Sequence, residues 1–519
     1  MGCPADSPDN PLLFSLFRSA NRCSLMGREK TDSVILLTNV CTSADYVLTL
    51  QKINTANFIM ALSNFEKEME KLQREGVISR AQFLQIMAAA GAFVALGTNK
   101  AYAAKSKAKG KIVIVGGGAA GISMASRLKR KLSNPDITII DPSERQFYQP
   151  GFTLIASGVY GADEVWKPQA DCMPKGVKWV KDEVKLIHPT QNKLDTAKNG
   201  SIDYDFLVLC PGIQINWDKV EGISKETLGT GNAHSIYDWV GAQRTWPAMK
   251  EFAQKGGKGI FCDTYTKHKC GGAPKKVCLL TWDNARKNGT TDNIDLHYYT
   301  ASKHLYNVPF YTPRLEEIYN ERNIPVDMNC RLKGIDTHAK RAYFERIETL
   351  ADGTKQTTPF SEDYDFMHFM APQSAPDFVR DSGLSWTEGS LAADGWAMAN
   401  KETLVHMTYP NIICIGDAAG IPTSKTSAAV GKQLPIAVEN LLSLMEGRAP
   451  EAIYNGYAAC PIVTEYGKVL LAEFDYDKKE QITFPLNWWD MSKEQWVAWF
   501  LKVYCLKPIY FNLMLTGLY

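Results

Sequence analysis

The 519-residue sequence lacks the spacing patterns that usually mark metal sites. None of its 12 cysteines stands in a C-x-x-C pair, which argues against a zinc ribbon and against c-type haem attachment. Its eight histidines include no pair at H-E-x-x-H or H-x-x-E-H spacing. We therefore predict no metal site.

The sequence also has little excess charge of either sign. It contains 58 lysines and arginines against 56 acidic residues, a formal net charge of +2, so we predict no nucleic-acid partner. Hydrophobic residues make up 45% and charged residues 22%, as in a globular protein and unlike a disordered or polytopic membrane protein. A chain of this length predicts about three structural units.

The N-terminal region shows no regular pattern before Leu72. We interpret residues 1–78 as an irregular tail. Met60 is an alternative start of the protein, in which case the stretch before it is an error of the gene annotation.

Residues 79–104 are similar to an export signal. A polar start is followed by an apolar run over residues 86–97 and by AYAA at residues 101–104, as at a cleavage site. About 12 apolar residues are too few to span a bilayer. Only Arg80 stands where a twin-arginine signal has two arginines, so an uncleaved amphipathic helix is the alternative.

A glycine-rich turn predicts a dinucleotide site. The apolar run KIVIV at residues 111–115 precedes GGGAAG at residues 116–121, and an apolar-periodic helix follows. Such glycines let the backbone approach a pyrophosphate, whose charge is stabilised at the helix N-terminus. Asp141 ends the next predicted strand, where an acid binds ribose hydroxyls. The predicted dinucleotide contacts are Gly116, Gly118, Gly121 and Asp141.

Two distant segments are similar to the remainder of a flavin site. FLVLCPG at residues 206–212 and NIICIGD at residues 411–417 both look like buried strands that end in tight turns. In flavoproteins with two dinucleotide domains, a Gly-Asp such as Gly416-Asp417 contacts FAD. This likeness implies a discontinuous FAD domain, residues 105–215 plus 385–455, and the α/β fold class with two Rossmann-like domains.

The second Rossmann-like domain, residues 216–384, has no pyridine-nucleotide loop. After the apolar segment ending at Cys262, where a G-x-G-x-x-G would hold NAD(P)H, the chain carries KCGGAPKK at residues 269–276. We therefore predict that electrons do not come from NAD(P)H.

Four dispersed motifs carry a more specific resemblance. They are YQPGFTL at 148–154, KCGGAPKK at 269–276, Gly416-Asp417 with IPTSKTSAAV at 421–430, and GYAACPIV at 456–463 continued by LAEFDY at 471–476. From Lys111 to its end the chain resembles the sulfide:quinone oxidoreductases, particularly their mitochondrial branch. It resembles the flavoprotein subunit of flavocytochrome c sulfide dehydrogenase more distantly.

The resemblance implies an FAD enzyme that oxidises sulfide through two cysteines, passes sulfur to an acceptor and reduces a membrane quinone. Cys270 matches the first family cysteine, and Lys267, Lys269, Lys275 and Lys276 would favour its thiolate if they face it. The second cysteine of the mitochondrial branch is replaced by Ala418. We predict Cys460 as the partner of Cys270, with Cys278 and Cys172 in reserve.

Further cofactor contacts are implied by the same motifs. Gln149 lies in the first motif, and Lys425 follows Gly416-Asp417 at the start of a helix, where it could stabilise negative charge on reduced flavin. A solvated lysine at a helix end is the alternative for Lys425.

The C-terminal region, residues 456–519, is predicted to associate with a membrane. Ser492 and Gln495 suggest a capping box that starts a helix at Lys493, and Pro508 should end it. Trp, Tyr, Leu and Lys residues, among them Lys502 and Lys507, suit amphipathic helices lying in the bilayer interface. The alternative is that these helices pack on the protein's own body or on a second subunit of a homo-oligomer.

The leading functional hypothesis is a peripheral membrane sulfide:quinone oxidoreductase, exported to the periplasmic face if the signal acts. One alternative is a sulfide dehydrogenase flavoprotein that passes electrons to a c-type cytochrome. Another is a non-catalytic relative that binds flavin and sulfane sulfur. A type II NADH dehydrogenase is disfavoured, because the second glycine loop is missing.

Overall fold

The computed structural model describes residues 105–519 and isolated positions before them (70, 73, 74, 76, 79 and 80). Residues 105–519 belong to one compact unit. The predicted tail, the alternative start at Met60 and almost all of the export-like segment lie outside the described residues.

Strands alternate with helices along the described chain, which is typical of an α/β protein. The strands are β1 Lys111–Val115, β2 Asp136–Ile140, β3 Arg145–Phe147, β4 Trp166–Pro168, β5 Lys178–Val180, β6 Val184–His188, β7 Lys193–Thr196, β8 Ser201–Asp203, β9 Phe206–Leu209, β10 Gln214–Ile215, β11 Ala233–His234, β12 Gly257–Cys262, β13 Ile294–Tyr299, β14 Val326–Asp327, β15 Cys330–Asp336, β16 Arg341–Thr349, β17 Lys355–Asp363, β18 Phe366–His368, β19 Gln373–Ser374, β20 Ile412–Cys414, β21 Ala458–Glu465 and β22 Lys468–Phe474. The α-helices are α1 Ala119–Lys131, α2 Phe152–Ile155, α3 Gln169–Cys172, α4 Trp239–Lys255, α5 Ala273–Asn288, α6 Thr312–Glu321, α7 Asp377–Asp381, α8 Ser427–Met445, α9 Trp496–Phe500 and α10 Leu506–Ile509.

The first parallel sheet has the strand order β20-β9-β1-β2-β5. Val115, at the end of β1, is paired with Ile140 on one side and Leu209 on the other. Four of the five residues of β1 are buried, because helices cover both faces of a parallel sheet and its strands are continuously apolar. Strands from residues 105–215 and from residues 385–455 therefore share one sheet, and the carboxyl ends of β1 and β20 lie at the same edge.

The second parallel sheet has the order β11-β18-β12-β13-β14. β12 is at its centre, paired with β13 and β18. The loop after β12, residues 263–272, leads directly into α5. This loop occupies the position of a nucleotide-binding turn and carries Cys270.

A C-terminal hairpin follows the two sheets. In β21 and β22, Cys460 is opposite Ala472, and α5 packs on β21. The packing of α5 on this hairpin places the loop after β12 next to the strand that carries Cys460.

The predicted start of the last helix is wrong. Helix α9 begins at Trp496, and Gln495 is its N-cap residue without a side-chain capping bond. The hydroxyl of Ser492 donates instead to the carboxylate of Asp490, and Gln495 Nε2 donates to the carbonyl of Asp490. Because both side chains bond to Asp490, the predicted capping box does not form.

Pro508 does not end the helix, which corrects the second prediction for this region. α9 continues through π-helical turns at Leu501–Cys505 and Tyr510–Met514, with α10 between them. In these widened turns an N–H bonds the carbonyl five residues earlier, as Leu515 does with Tyr510. The altered hydrogen-bond register accommodates the missing N–H of proline.

The C-terminal helix packs on the protein's own body. Tyr510 Oη donates to the carbonyl of Phe147, and Ser126 Oγ, on α1, donates to the carbonyl of Leu515. Lys502, predicted to lie near a bilayer, is 1% exposed. The apolar face of this helix is therefore covered by the fold.

Candidate active site

The turn between β1 and α1 requires glycine at two positions. Gly116 has a φ of +103°, and a Cβ there would lie 2.4 Å from the carbonyl oxygen of Cys210. A Cβ at Gly121 would lie 1.8 Å from the carbonyl oxygen of Gly116. The backbone is therefore packed too closely for any side chain at these two positions.

Gly118 differs, because a Cβ there would meet no atom within 4 Å. It is the N-cap of α1, whose first turn contains no acidic residue. The N–H groups at this helix end lack a side-chain cap and are open to an anion. The space in front of Gly118 fits a pyrophosphate.

Asp141 lies beside the same turn. Its carboxylate accepts hydrogen bonds from the backbone N–H groups of Gly117 and Ser143, at 2.6 and 2.8 Å. Burial raises the pKa of this carboxyl group, and the two N–H donors oppose the rise. Its place at the end of β2 suits contact with ribose hydroxyls.

A cleft at the end of β20 brings together three of the predicted flavin contacts. It is lined by Gly416, Asp417, Lys425 and the first turn of α8. Thr426 caps α8 by accepting from the N–H of Ala429. The residues on this edge and in the glycine-rich turn fit FAD: the N-terminus of α1 would hold its pyrophosphate, and Lys425 and the first turn of α8 would stabilise negative charge on its reduced ring.

Lys425 is buried and its ammonium group is not solvated, which rules out the alternative of a solvated helix-end lysine. Its Nζ donates to the carbonyl of Ala419 at 2.9 Å and lies 3.9 Å from the ring centroid of Trp396. Burial lowers the pKa of Lys425 to about 8, although the charge of Asp417 opposes this shift. Burial raises the pKa of Asp417, and the charge of Lys269 opposes that rise most strongly.

The loop after β12 is hydrogen-bonded to this cleft. The N–H of Cys270 donates to the carbonyl of Lys425 at 3.1 Å. Lys269 Nζ donates to Gln149 Oε1 at 2.6 Å, so the YQPG turn is attached to the same loop. Two of the predicted cofactor contacts, Gln149 and Lys425, therefore lie beside the loop that carries the predicted redox cysteine.

Cys270 itself has a left-handed backbone, with a φ of +46°. Such a conformation is uncommon outside glycine and asparagine and marks a position that the surroundings hold. The hydroxyl of Tyr237 donates to the carbonyl of Cys270 at 3.0 Å. This bond and the one to Lys425 hold the backbone on both sides of the thiol.

Cys270 and Cys460 are brought together by the packing of α5 on β21. Their Sγ atoms are 4.0 Å apart. A Cβ on Gly272, two residues after Cys270, would lie 2.6 Å from Cys460 Sγ. The absence of a side chain at Gly272 is what lets the two sulfurs meet.

Lys276 supplies the nearest positive charge. Its Nζ lies 3.2 Å from Cys270 Sγ, and the residue is 2% exposed. The hydrogen bond with Cys460 and the charge of Lys276 hold the pKa of the Cys270 thiol well below its usual range. The pKa of Cys460 is raised by its hydrogen bond with Cys270 and by burial.

The four lysines predicted to flank Cys270 have different roles. Only Lys276 contacts its sulfur; Lys275 forms a buried ion pair with Asp263 at 3.1 Å. Lys269 reaches Gln149, and Lys267 is exposed. Lys275 and Lys276 are neighbours on α5 and therefore point in different directions. The sequence alone could not identify which lysine contacts the sulfur of Cys270.

The reserve cysteines lie elsewhere. Cys278 is buried in α5 beside Tyr319, and burial raises its pKa to about 12. Cys172, at the end of α3, is half-buried, and burial raises its pKa as well. Neither is hydrogen-bonded to Cys270 or Cys460 in the described part of the chain.

Sequence reasoning missed three contributors to this site. Tyr237 and Gly272 carry no motif of their own, although Gly272 lies within KCGGAPKK. Lys502 is far away in sequence, yet its charge acts on both Cys270 and Lys276. No local pattern marks a residue that folds back from the C-terminal helix.

Known proteins resemble this chain over most of its length. Residues 110–242 match the family of pyridine nucleotide-disulphide oxidoreductases. The mitochondrial sulfide:quinone oxidoreductase of Dictyostelium discoideum is 36% identical over 408 residues, which cover 78% of this chain and 86% of that protein. This chain belongs to the sulfide:quinone oxidoreductase family. The predicted family is confirmed, and so is FAD as the cofactor, since both groups bind it.

Solved structures agree with a sulfide:quinone oxidoreductase fold. The enzyme from the hyperthermophilic bacterium Aquifex aeolicus has a TM-score of 0.62 at 20% identity, covering 76% of this chain and 89% of its own. A chain of the Tetrahymena thermophila mitochondrial ATP synthase has a TM-score of 0.65 at 17% identity, covering 81% and 99%. At these identities the likeness concerns the fold alone. The predicted α/β fold with two Rossmann-like domains is confirmed.

Proposed function

We propose that this chain is a sulfide:quinone oxidoreductase that oxidises sulfide at Cys270 and Cys460, with FAD as the electron carrier. The observation that supports this role most directly is the cysteine pair itself, with Sγ atoms 4.0 Å apart and Lys276 in contact with one of them. The pair lies beside the cleft of Gly416, Asp417 and Lys425. No other two cysteines in residues 105–519 are linked by a hydrogen bond.

The different environments of the two sulfurs favour one direction of attack. In a Cys270–Cys460 disulfide, the sulfur with the lower thiol pKa is the better leaving group. Lys276 stabilises the Cys270 thiolate, so sulfide attacks Cys460. A new S–S bond forms between the sulfide sulfur and Cys460 Sγ, and the old disulfide bond breaks. The products are a persulfide on Cys460 and a thiolate on Cys270.

The cycle closes when the outer sulfur is removed. An acceptor nucleophile takes that sulfur and leaves Cys460 as a thiolate. Re-forming the Cys270–Cys460 disulfide then releases two electrons. FAD, when bound, accepts this electron pair and delivers it to quinone. Lys425, close to the cleft, would stabilise negative charge there.

Replacement of the mitochondrial-branch cysteine by Ala418 is compatible with this proposal. Ala418 is buried in the 3₁₀ turn Gly416–Ala418, and its carbonyl accepts from the N–H of Ala397. Cys460 supplies the second thiol from the hairpin instead. We propose that the catalytic pair of this chain is Cys270 with Cys460.

Anaerobic titration with sulfide, followed by flavin absorbance, tests the proposal. We expect sulfide to bleach the oxidised flavin and a quinone analogue to restore it. Reoxidation by cytochrome c but not by quinone would support the alternative electron acceptor. NADH should leave the flavin oxidised, because the loop after β12 carries cysteine in place of a nucleotide turn. A flavin that sulfide leaves oxidised would show that the proposed activity is wrong.

We also propose peripheral association with a membrane, where a quinone would be found. No helix in residues 105–519 is both long and apolar enough to cross a bilayer. Exposed aromatic residues instead occur in the loop before α9, where Phe484 is 40% and Trp488 is 54% exposed. Aromatic side chains of this kind partition into the bilayer interface. Several relatives carry "mitochondrial" in their names, whereas export through residues 79–104 stays a prediction.

A further inference from the structure

Lys502 is a buried lysine that has no role in the reaction cycle proposed above. It lies in the π-helical turn Leu501–Cys505 and is 1% exposed. Its Nζ donates to the carbonyl of Pro150 at 3.3 Å. Among the residues that the structure describes, no carboxylate oxygen lies within 4 Å of this nitrogen. A buried ammonium group without an anionic partner is costly.

The groups that act electrostatically on Lys502 are those of the cysteine centre. They are Lys276, Cys270 and Cys460. Burial, followed by the charge of Lys276, lowers the pKa of Lys502 to about 7. Geometry places the two lysines at the same centre: Lys276 contacts Cys270 Sγ, and Lys502 bonds Pro150 in the turn whose Gln149 is bonded to Lys269, next to Cys270. The Lys502 amine is protonated, and so a cation, below about pH 7.

The oxidised form of this centre has positive charge without a matching anion. When Cys270 and Cys460 form a disulfide, neither sulfur is charged, and neither Lys276 nor protonated Lys502 has an anionic partner among the residues that the structure describes. When sulfide has reacted, Cys270 is a thiolate next to Lys276, and a persulfide is present on Cys460. The oxidised centre therefore has a place for one monovalent anion before the reaction.

We propose that Lys502 and Lys276 form an anion subsite beside the cysteine pair, which holds the hydrosulfide ion before it attacks the disulfide. This inference rests on the proposed function. The hydrosulfide ion loses its negative charge on forming the bond to Cys460, and the electron pair of the broken disulfide becomes the charge of the Cys270 thiolate. The total charge of the subsite stays constant, so the attack needs no new counter-ion.

The subsite also explains why the C-terminal helix turns inward. Lys502 bonds Pro150, whose neighbour Gln149 bonds Lys269, next to Cys270. The last helix thus brings a lysine to the cysteine centre and is connected to the cysteine loop through hydrogen bonds. We classify Lys502 as a binding residue for the substrate anion.

The test measures persulfide formation, with flavin reduction as a separate readout. Oxidised protein is mixed with sulfide, and mass spectrometry follows the gain of one sulfur on the peptide that contains Cys460. For Lys502→Met, the half-saturating sulfide concentration should rise on the order of tenfold or more. Lys502→Arg should restore most of the affinity, because it keeps the charge.

Lys507→Met is the matched control on the same helix. Lys507 pairs with Glu164 at 2.9 Å and is partly exposed, and it is not among the charges named as acting on Cys270, Cys460 or Lys502. Its replacement should leave the sulfide dependence unchanged. Equal sulfide dependence of Lys502→Met and wild type would overturn the subsite, as would a defect confined to reoxidation by quinone.

A second measurement covers the case in which the Lys502 variants do not fold. Nitrate, a non-nucleophilic monovalent anion, should compete with sulfide for persulfide formation in the wild-type enzyme. Absence of competition would contradict the subsite. Wild-type protein that never forms a persulfide would instead refute the proposed function, so the two failures are distinguishable.

Discussion

The Nζ atom of Lys276 lies 3.2 Å from the Sγ atom of Cys270, inside the protein and away from solvent. Lys275, one residue earlier, points to Asp263 instead. A single step along α5 therefore separates the buried ion pair of Lys275 with Asp263 from a lysine in contact with the Cys270 thiol. The reactivity of Cys270 should depend on Lys276 more than on any other lysine of the loop.

Replacement of Lys276 by methionine should raise the pKa of Cys270. The thiolate is present above the pKa, so in wild-type protein it should persist at pH values below the ordinary thiol range. In the variant the midpoint of labelling should move to higher pH. Once the midpoint lies above pH 7, alkylation at pH 7 should slow about tenfold for every further pH unit by which the midpoint rises. The measurement is the pH dependence of iodoacetamide labelling of the reduced protein.

Lys287→Met is the control for that experiment, because Lys287 is also on α5 but lies over Tyr466 at the surface. Its labelling profile should match that of wild type. If Lys276→Met gave the wild-type profile as well, Lys276 would not stabilise the thiolate.

Serine at either Cys270 or Cys460 should abolish flavin reduction by sulfide. Each variant removes one sulfur of the pair, so no disulfide can form and no persulfide can be released. Serine at Cys172, which is half-buried and not hydrogen-bonded to either cysteine of the pair, should leave the reaction intact. Stopped-flow absorbance with sulfide compares the three variants; a Cys460→Ser enzyme that is still reduced at the normal rate would show that another residue is the partner of Cys270.

Alanine at Gly272 should separate the two sulfurs. The new Cβ would lie 2.6 Å from Cys460 Sγ, so Cys460 must move, at a cost of about 1–3 kcal/mol in the free energy of unfolding. Chemical denaturation measures the cost, and titration of free thiols after mild oxidation measures the loss of pairing. In a Cys460→Ala background the same substitution should cost much less, because the clashing sulfur is gone. If Gly272→Ala lowered the free energy of unfolding equally in the wild-type and Cys460→Ala proteins, the contact with Cys460 Sγ would not be the source of the strain.

Alanine at Gly118 should weaken FAD binding without disturbing the fold. Its Cβ points into open space in front of α1, where the pyrophosphate is proposed to lie. We expect an FAD dissociation constant higher on the order of tenfold, measured by flavin fluorescence. Gly161→Ala is the control, since its Cβ would make only an ordinary contact at 3.5 Å with Glu164. Identical FAD affinities in the two variants would argue against the pyrophosphate site.

Loss of the exposed aromatic residues should weaken membrane binding. The double variant Phe484→Ala, Trp488→Ala should partition into vesicles of phosphatidylcholine and phosphatidylglycerol at least about tenfold less than wild type. Sedimentation with the vesicles measures this. Tyr343→Ala removes a similarly exposed aromatic residue from β16, and its partitioning should not change. Equal losses in both variants would mean that the loop before α9 is not the contact.

The sequence predicted the cofactor half of the proposed site from signals that are local. The glycines after β1, the acid after β2 and Gly416-Asp417 after β20 each follow a buried strand within a few residues. Likeness to flavoproteins with two dinucleotide domains predicted that Gly416-Asp417 joins the glycine-rich turn. The sheet gives the physical reason, because the carboxyl ends of parallel strands in one sheet lie at the same edge. Gln149 and Lys425 were expected there by family resemblance, and the structure brings them to the same loop.

The start and end of the C-terminal helix were predicted wrongly, and its apolar pattern is compatible with two different environments. Aromatic and apolar residues at helical spacing suit both a bilayer surface and a protein core. The side chains of Ser492 and Gln495, expected to form a capping box, bond to Asp490 instead. The π-helical turns on either side of α10 let the helix continue through Pro508. Lys502, which the pattern placed near a membrane, is turned toward the cysteines.

The sequence by itself determined the two nucleotide-type folds, the glycine-rich turn and Cys270, since strand–turn–helix motifs are encoded by neighbouring residues. Only the tertiary structure decided which sulfur and which cations accompany Cys270. Cys460 lies 190 positions away along the chain, and Lys502 lies still further. Contacts of this range depend on how α5, the hairpin and the last helix pack, and no local spacing encodes that packing. The sequence shows no metal-site spacing, and the chemistry we propose is carried by two sulfurs and the lysines around them.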